Sequence, residues 1–536
     1  MGSRSCRLKL VLAASLAAGS ASGAERLIYH EIKTDQSGRI VPWSGPPSQA
    51  YDHIVRLVWN FWRDMEKCPN GLPYYMQHMI WSPNRHGNGL GGDQLNMALS
   101  SWNLLYGYLG EEAVKQNMIY MAGYWLDHGL SKPTGQWPNM MFPYDTVVHS
   151  GVYDGDMVAG KGVLQPDKAA SFGAELVVLY KMTGNPRYLD AAVKIADTLA
   201  KHVKSGDGET SPWPYRVNAA TGETAQSKVV IEYFEAPAGA VNMKRTNQIP
   251  ASYTTNWTGA LRLFEDLVAL KQGDAKAYGR AGDVLSAWLK AYPLKTGKWG
   301  PFFEDVPTGM WSDTETNADT LAWYMLENPK WDPQWRELAK RALEWSYANF
   351  ANRGWEDLGA VVINEQTVYR QPGNSHTARY ASVELLYAEK TGDYTNREAA
   401  IRRLNWATYM VDTDGKNLYP STTRANAGKP GTGGGHWLTD GYGDYARHYL
   451  RAMATVPELA PENQNHLLRT TSVIRNISYR LDAISYEKFD AASTERFKLG
   501  EWTPAKVSGG RMRWDPKSKV LTVEATAKTV TITRGK

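Results

Sequence analysis

Six times along this chain a helix-compatible stretch rich in small and apolar residues is followed by a turn and a second, amphipathic helix. The clearest copies span residues 95–130, 169–203, 254–292, 314–350 and 377–411. A sixth opens at 440–453, with the early helical stretch 51–65 as the partner that closes it. Two copies share their punctuation, Met182-Thr183-Gly184-Asn185-Pro186-Arg187-Tyr188 and Lys390-Thr391-Gly392-Asp393-Tyr394. Each puts a glycine where the first helix should end and a polar start for the next. A lone helical hairpin cannot bury its apolar face, so repeated hairpins stack and close on one another. Six of them predict a ring, and a ring presents the starts of all its inner helices around one mouth.

The 536 residues, 43% of them hydrophobic, exceed an ordinary domain of ~100–200 residues. One six-hairpin body over residues 51–456 and a smaller unit account for the length. After Pro457 the pattern switches to period two. Residues 476–486, 494–499, 510–514 and 519–533 favour β-branched, aromatic and alternating side chains. Ser508-Gly509-Gly510 and Asp515-Pro516-Lys517 read as turns. Residues 470–536 are therefore expected to form a small β-domain packed on the ring, and residues 25–50, polar and Pro/Gly-bearing, a lead-in arm.

At the N-terminus Arg4, Arg7 and Lys9 precede an apolar run, and the small residues of 20–24 offer a cleavage site near Glu25. Residues 1–24 thus read as a signal peptide and the mature chain as secreted or periplasmic. The run is too short for a spanning helix, which needs ~20 apolar residues, and no other segment approaches that length. Removing it takes away three basic residues and no acidic one, so a net charge of +5 becomes +2. The basicity is no footprint of nucleic acid. Only Cys68 then remains, so no intrachain disulfide forms. No zinc spacing, P-loop, dinucleotide fingerprint or nucleophile elbow occurs, and neither metal nor cofactor is expected. Asp412-Thr413-Asp414-Gly415 opens like a calcium loop but lacks the later Glu, and reads as a turn.

Long segments rich in Gly, Pro, Trp and Tyr lie between the hairpins, at 68–92, 131–166, 206–250, 294–313, 353–373 and 415–439. Structureless loops over ~15 residues are uncommon and usually functional. All six precede the first helix of a hairpin, so a ring gathers them on one face; 229–234 and 359–367 are expected to form short strands within them. The chain has 21 Trp and 30 Tyr against 10 Phe. Flat side chains with a polar handle suit the apolar C–H faces of sugars. Trp81, Trp137, Trp257, Trp311, Trp355 and Trp437 are accordingly candidate sugar platforms, while Trp in the same loops also serve to pack them onto the ring.

On these hairpins and loops the chain resembles the (α/α)6-toroid carbohydrate-active enzymes, the six-hairpin glycosidases and related polysaccharide lyases. The resemblance is architectural. It implies a mainly α fold, an (α/α)6 toroid of helical hairpins with a small C-terminal β-domain, and a carbohydrate substrate. Asp93, Asp167, Asp313 and Glu315 stand at the starts of inner helices. Singly each suits a helix N-terminus, but around one mouth they converge as carboxylates able to flank a glycosidic bond. Glycoside hydrolysis needs two such groups, one protonated and one ionised. Glu304-Asp305 and Glu356-Asp357 are weaker candidates. A lyase would instead neutralise a uronate carboxylate and remove the α-proton. Asn374, His376 and Tyr380, with Arg379, supply the residue types that toroidal lyases use, and Arg85, His86 and Arg424 a carboxylate clamp. His436 and Trp437 lead into the sixth inner helix as further binding candidates. Hydrolysis is the leading expectation, with a lyase or a non-catalytic glycan-binding protein as the alternatives.

Overall fold

The computed structural model describes residues 30–65, 92–146, 152–156, 159–227, 249–301, 312–367, 370, 372–415, 442–500 and 502–535. Trp81, Arg85, His86, Trp311, Arg424, His436, Trp437, the side chain of Asp93 and the expected signal peptide and 229–234 strand lie outside them.

The helices are α1 (Pro47–Asp64), α2 (Gly92–Leu109), α3 (Glu112–His128), α4 (Pro166–Thr183), α5 (Pro186–His202), α6 (Thr258–Leu270), α7 (Ala275–Ala291), the single turn α8 (Pro293–Thr296), α9 (Glu315–Glu327), α10 (Trp335–Phe350), α11 (Asn374–Thr391), α12 (Arg397–Thr408) and α13 (Tyr442–Thr455). Helices α2, α4, α6, α9, α11 and α13 each pack on the next, and α13 returns to α2. The ring is closed. Outside it α3, α5, α7, α10 and α12 each lie on the inner helix that precedes them, and α1 lies on α13. Tyr51 of α1 donates to Asn405 Oδ1 at 2.7 Å and meets Tyr449 edge-on. The first helix therefore completes the sixth hairpin, as the hairpin count predicts.

Burial separates the two layers. Helices α4 and α11 each bury 14 of 18 residues, whereas α5 buries 8 of 17. An inner helix lies between the ring interior and the outer layer, so all its faces are covered; an outer helix shows one face to water. The shared turn motif behaves as its residues dictate. Gly184 ends α4 in the left-handed region (φ +74), Asn185 accepts from the Arg187 amide, and Pro186 begins α5. Inner helices approach closely through small residues. A Cβ on Gly259 of α6 would stand 2.3 Å from Ser171 Oγ and 2.6 Å from Ser171 Cα on α4. Gly259→Ala should thus cost about 1–3 kcal/mol through overpacking, read as a lower urea midpoint; an unchanged midpoint would show that the two helices have room to part.

From His466 the chain forms two four-stranded antiparallel sheets. One has the order His466–Thr470, Ser493–Lys498, Val520–Ala525, Gly510–Asp515; the other Ile474–Tyr479, Ala483–Lys488, Thr529–Arg534, Pro504–Ser508. Alternate residues such as Ile484, Tyr486, Phe497, Leu521, Val523 and Ile532 fill the space within this β-domain. It docks on the C-terminal ends of inner helices. His466 Nδ1 lies 2.9 Å from Tyr108 O, its ring stacked on Tyr108 at 3.9 Å. Arg475 donates to Lys181 O, and Arg469 and Arg496 both donate to Glu389 at 2.8 Å. The arm before α1 runs along α12, with Trp43 Nε1 donating to Thr408 O and the Lys33 amide to Tyr409 Oη. Within the expected 359–367 strand, Val362–Ile363 pairs with Ala351–Asn352. Residues 412–415 make a tight turn, closed by the Gly415 amide on Asp412 O.

Candidate active site

The ring encloses a cavity of about 630 Å³, within the ~300–1,000 Å³ usual for small-molecule sites. Its walls start at Tyr215, Thr254, Asn256 and Thr314, on the loop side of the ring, and reach the far ends of α6 and α9. There Glu265, Ala269, Glu327 and Asn328 are exposed. Each inner helix contributes a polar residue to the wall: Asn96 from α2, Asp167 from α4, Arg262 from α6, Asp319 from α9, Arg379 from α11 and His448 from α13.

Asp167 sits in the first turn of α4, directly after Pro166. Two features fix that turn. Gln165, its N-cap, donates to Asp156 at 2.5 Å, and Arg216 holds the same carboxylate at 2.9 Å. The Asn256 side-chain amide donates to Asp167 Oδ2 at 2.8 Å, while Oδ1 has no hydrogen-bond partner among the described residues. Burial raises the Asp167 carboxyl to about 6, against the pull of Lys168 and Asn256.

Asp319 lies one turn into α9, four residues after Glu315. Ser346 of α10 donates to its Oδ1 at 2.6 Å, and Oδ2 has no hydrogen-bond partner among the described residues. Burial first, and then the negative charge of Glu315, push Asp319 well above the ordinary carboxylate range. Glu315 goes the other way. Burial alone would raise it, but His376 Nδ1 at 2.7 Å and Arg379 Nη1 at 2.8 Å outweigh burial and hold it below its usual value. Arg379 continues to Asp444, which also accepts from Arg447. His448 Nε2 is 2.9 Å from Asp444 Oδ2 but out of line for a hydrogen bond, and among the described residues neither ring nitrogen has a hydrogen-bond partner. Burial, then Arg379 and Arg447, drive its pKa well below 6.5. Both causes favour the neutral imidazole.

The residues singled out in the sequence divide accordingly. Asp167 is on the cavity wall. Asp313, Glu315, His376 and Tyr380 are not among the described residues that line it. The Asp313 carboxylate accepts from the Trp299 amide and its backbone pairs with Thr367, so it fastens two loops together. Glu315 and His376 bind each other between α9 and α11. Tyr380 points outward to Leu343 O on α10, and Asn374 is buried, bonding the Ser375 amide. The described loop tryptophans are packing residues: Trp137 stacks on His202, Trp257 lies against Trp213 with its N–H on Thr254 O, and Trp355 meets Trp406. Among the described residues, the aromatic rings that inner helices bring to the cavity wall are Trp323 and Tyr324 of α9. Sequence reading passes over Trp323, Asp319, Arg447, His448 and Arg451, because none stands at a helix start. The available signal is charge spaced by one turn along helices otherwise buried on every side: Glu315 and Asp319, or Arg447 and Arg451. Among the described residues no cluster of His, Cys, Asp and Glu has the spacing to hold a metal ion, and no helix is long and apolar enough to cross a membrane.

No protein-family model and no curated protein matches this sequence. Solved structures do. A cellobiose 2-epimerase from Spirochaeta thermophila is similar over 77% of this chain and 96% of its own, at 12% identity and a TM-score of 0.53. For a cellobiose 2-epimerase from Bacillus thermoamylovorans the coverages are 75% and 98%, the identity 16% and the TM-score 0.53. A D-mannose isomerase gives 76%, 99%, 12% and 0.51. The fold is the (α/α)6 toroid of carbohydrate-active enzymes. At these identities the likeness extends to the fold alone, and the chemistry has to be argued from the residues that line the cavity.

Proposed function

We propose that this chain is a secreted glycoside hydrolase, with Asp319 as general acid and Asp167 as its ionised partner at the anomeric carbon. One observation carries the reading: two carboxylic residues stand in the wall of the same cavity, and burial shifts both carboxyls upward, with the charge of Glu315 adding to the shift at Asp319. At pH 7 Asp167, with a pKa of about 6, is mostly ionised. Asp319, which burial and the charge of Glu315 both push upward, supplies the proton for the departing glycosidic oxygen. The pair differs from the one expected from helix starts: Asp167 remains, and Asp319 takes the place of Asp313 or Glu315. A lyase built on His376 and Tyr380 has less support, since neither side chain reaches the cavity.

The pH profile tests the assignment. Asp167 must be ionised, so kcat/KM should rise as pH increases through about 6 and fall where Asp319 gives up its proton. An acid limb centred in the ordinary carboxylate range near 4 would remove Asp167 from the role. Substrates come from a panel of polysaccharides and oligosaccharides, scored for new reducing ends and for the ultraviolet absorbance that β-elimination leaves.

His448 favours a second reading, epimerisation or isomerisation of a sugar. An imidazole whose surroundings favour its neutral form, with neither nitrogen hydrogen-bonded among the described residues and with Arg379 and Arg447 beside it, has the make-up to remove a proton next to a carbonyl, with guanidinium groups near the resulting enediolate oxygen. The similar solved structures above include enzymes of this kind. Solvent deuterium entering the sugar ring, with no new reducing ends, would select this reading over hydrolysis.

A further inference from the structure

Among the described residues four arginines line the cavity, and three of them have acceptors. Arg262 binds Glu175 at 2.7 Å, Arg379 binds Glu315 and Asp444, and Arg447 binds Asp444 and Ser100. Arg451 differs. Among the described residues no carboxylate, carbonyl or hydroxyl accepts from its guanidinium. It lies instead 4.0 Å from the ring centre of Trp323, across the ring interior from α13 to α9. The nearest anions are already engaged: Glu175 by Arg262, and Glu327 by Lys390 at 3.4 Å.

We infer that Arg451, steadied on Trp323, is the anchor for a carboxylate on the bound sugar, so that the substrate carries a uronic acid residue. A guanidinium set against an aromatic ring has little freedom left and presents its donors as a planar fork. That fork matches the two oxygens of a carboxylate, and such a pair is stronger and more directional than a bond to a neutral hydroxyl. Burial and the neighbouring Arg262 already lower the Arg451 pKa to about 9, which an anion beside it would reverse. Helix α13 thus presents both a fork for the substituent and, one turn earlier, Arg447 and His448 facing the sugar ring.

This inference rests on the cavity being a sugar site, and the experiment separates the two. Binding of D-glucuronate, D-glucose and D-glucose 6-sulfate is measured by calorimetry on the full chain, with Asp319→Asn as a catalytically silenced background. Glucuronate should bind at least tenfold tighter than glucose. Arg451→Gln should weaken glucuronate about tenfold to a hundredfold, the worth of a charged hydrogen bond, and leave glucose nearly unchanged. Arg451→Lys, which keeps the charge and loses the fork, should fall between and serves if the Gln variant does not fold. Equal affinity for glucose and glucuronate, or equal weakening of both by Arg451→Gln, would overturn the inference and leave the hydrolase reading standing. Preference for the sulfate would overturn the carboxylate assignment. Binding of none of the three would overturn the inference and the sugar site together.

Discussion

Asp319→Asn is expected to lower turnover by ~10²–10⁴-fold, the usual worth of a positioned acid or base, without lowering the melting temperature. The two halves of that outcome have one cause. A carboxyl whose folded pKa is raised destabilises the fold at pH values above its unfolded pKa, because folding then takes a charge out of water. The amide avoids that cost and still accepts from Ser346, so stability should hold or rise while activity collapses. Asp167→Asn should show the same split, through the loss of the group that ionises near 6. If Asp319→Asn unfolds the protein, or turns over like the parent, Asp319 is a structural residue and the acid must be sought among the loops. Kinetics and a thermal melt on the same preparation decide it.

The opposite pattern is expected one turn away. Arg379→Met leaves Glu315 and Asp444 buried without their shared guanidinium, and breaking a buried pair from one side costs about 3–5 kcal/mol. Because the folded pKa of Glu315 is depressed, the stability it contributes is present above the unfolded carboxylate pKa. It is lost as pH falls through the folded value. The parent should therefore lose stability on acidification by a contribution that Glu315→Gln removes. Urea midpoints at pH 7 and pH 4 measure both effects. A midpoint for Arg379→Met within error of the parent would mean that water or a rearranged Arg447 replaces the lost contacts.

Much of this architecture is written locally. Gly184, Asn185 and Pro186 mark one hairpin turn by backbone preferences that hold whatever surrounds them, and the period-two pattern after Pro457 marks the β-domain in the same way. Asp167 is legible because a helix start is a local feature. Asp319, Arg447, His448 and Arg451 lie mid-helix, where charge ordinarily means a face turned to water. In this chain that face becomes a shared interior only once six helices have closed, and closure is not a property of any one segment. Asp313 shows the converse. It stands two residues before α9, and that short offset directs its carboxylate to the Trp299 amide rather than to the mouth. The loop tryptophans mislead for a related reason: a flat ring with an N–H suits the underside of a long loop as well as it suits a sugar.

Closing the ring with its first and last helices also constrains how the chain is made. Trp59 and Trp62 of α1 meet Trp102 of α2 soon after both emerge, but Tyr51 and its partner Asn405 are 354 residues apart, so the side of α1 that carries Tyr51 stays uncovered through most of synthesis. Five hairpins can build on one another as they appear, each upon a neighbour already made. The sixth waits for the C-terminal part of the body, and a ribosome stalled anywhere before α13 holds an open arc with two sticky ends. Two copies of such an arc could complete each other, which makes exchange of α1 between chains the expected failure of hurried or truncated synthesis.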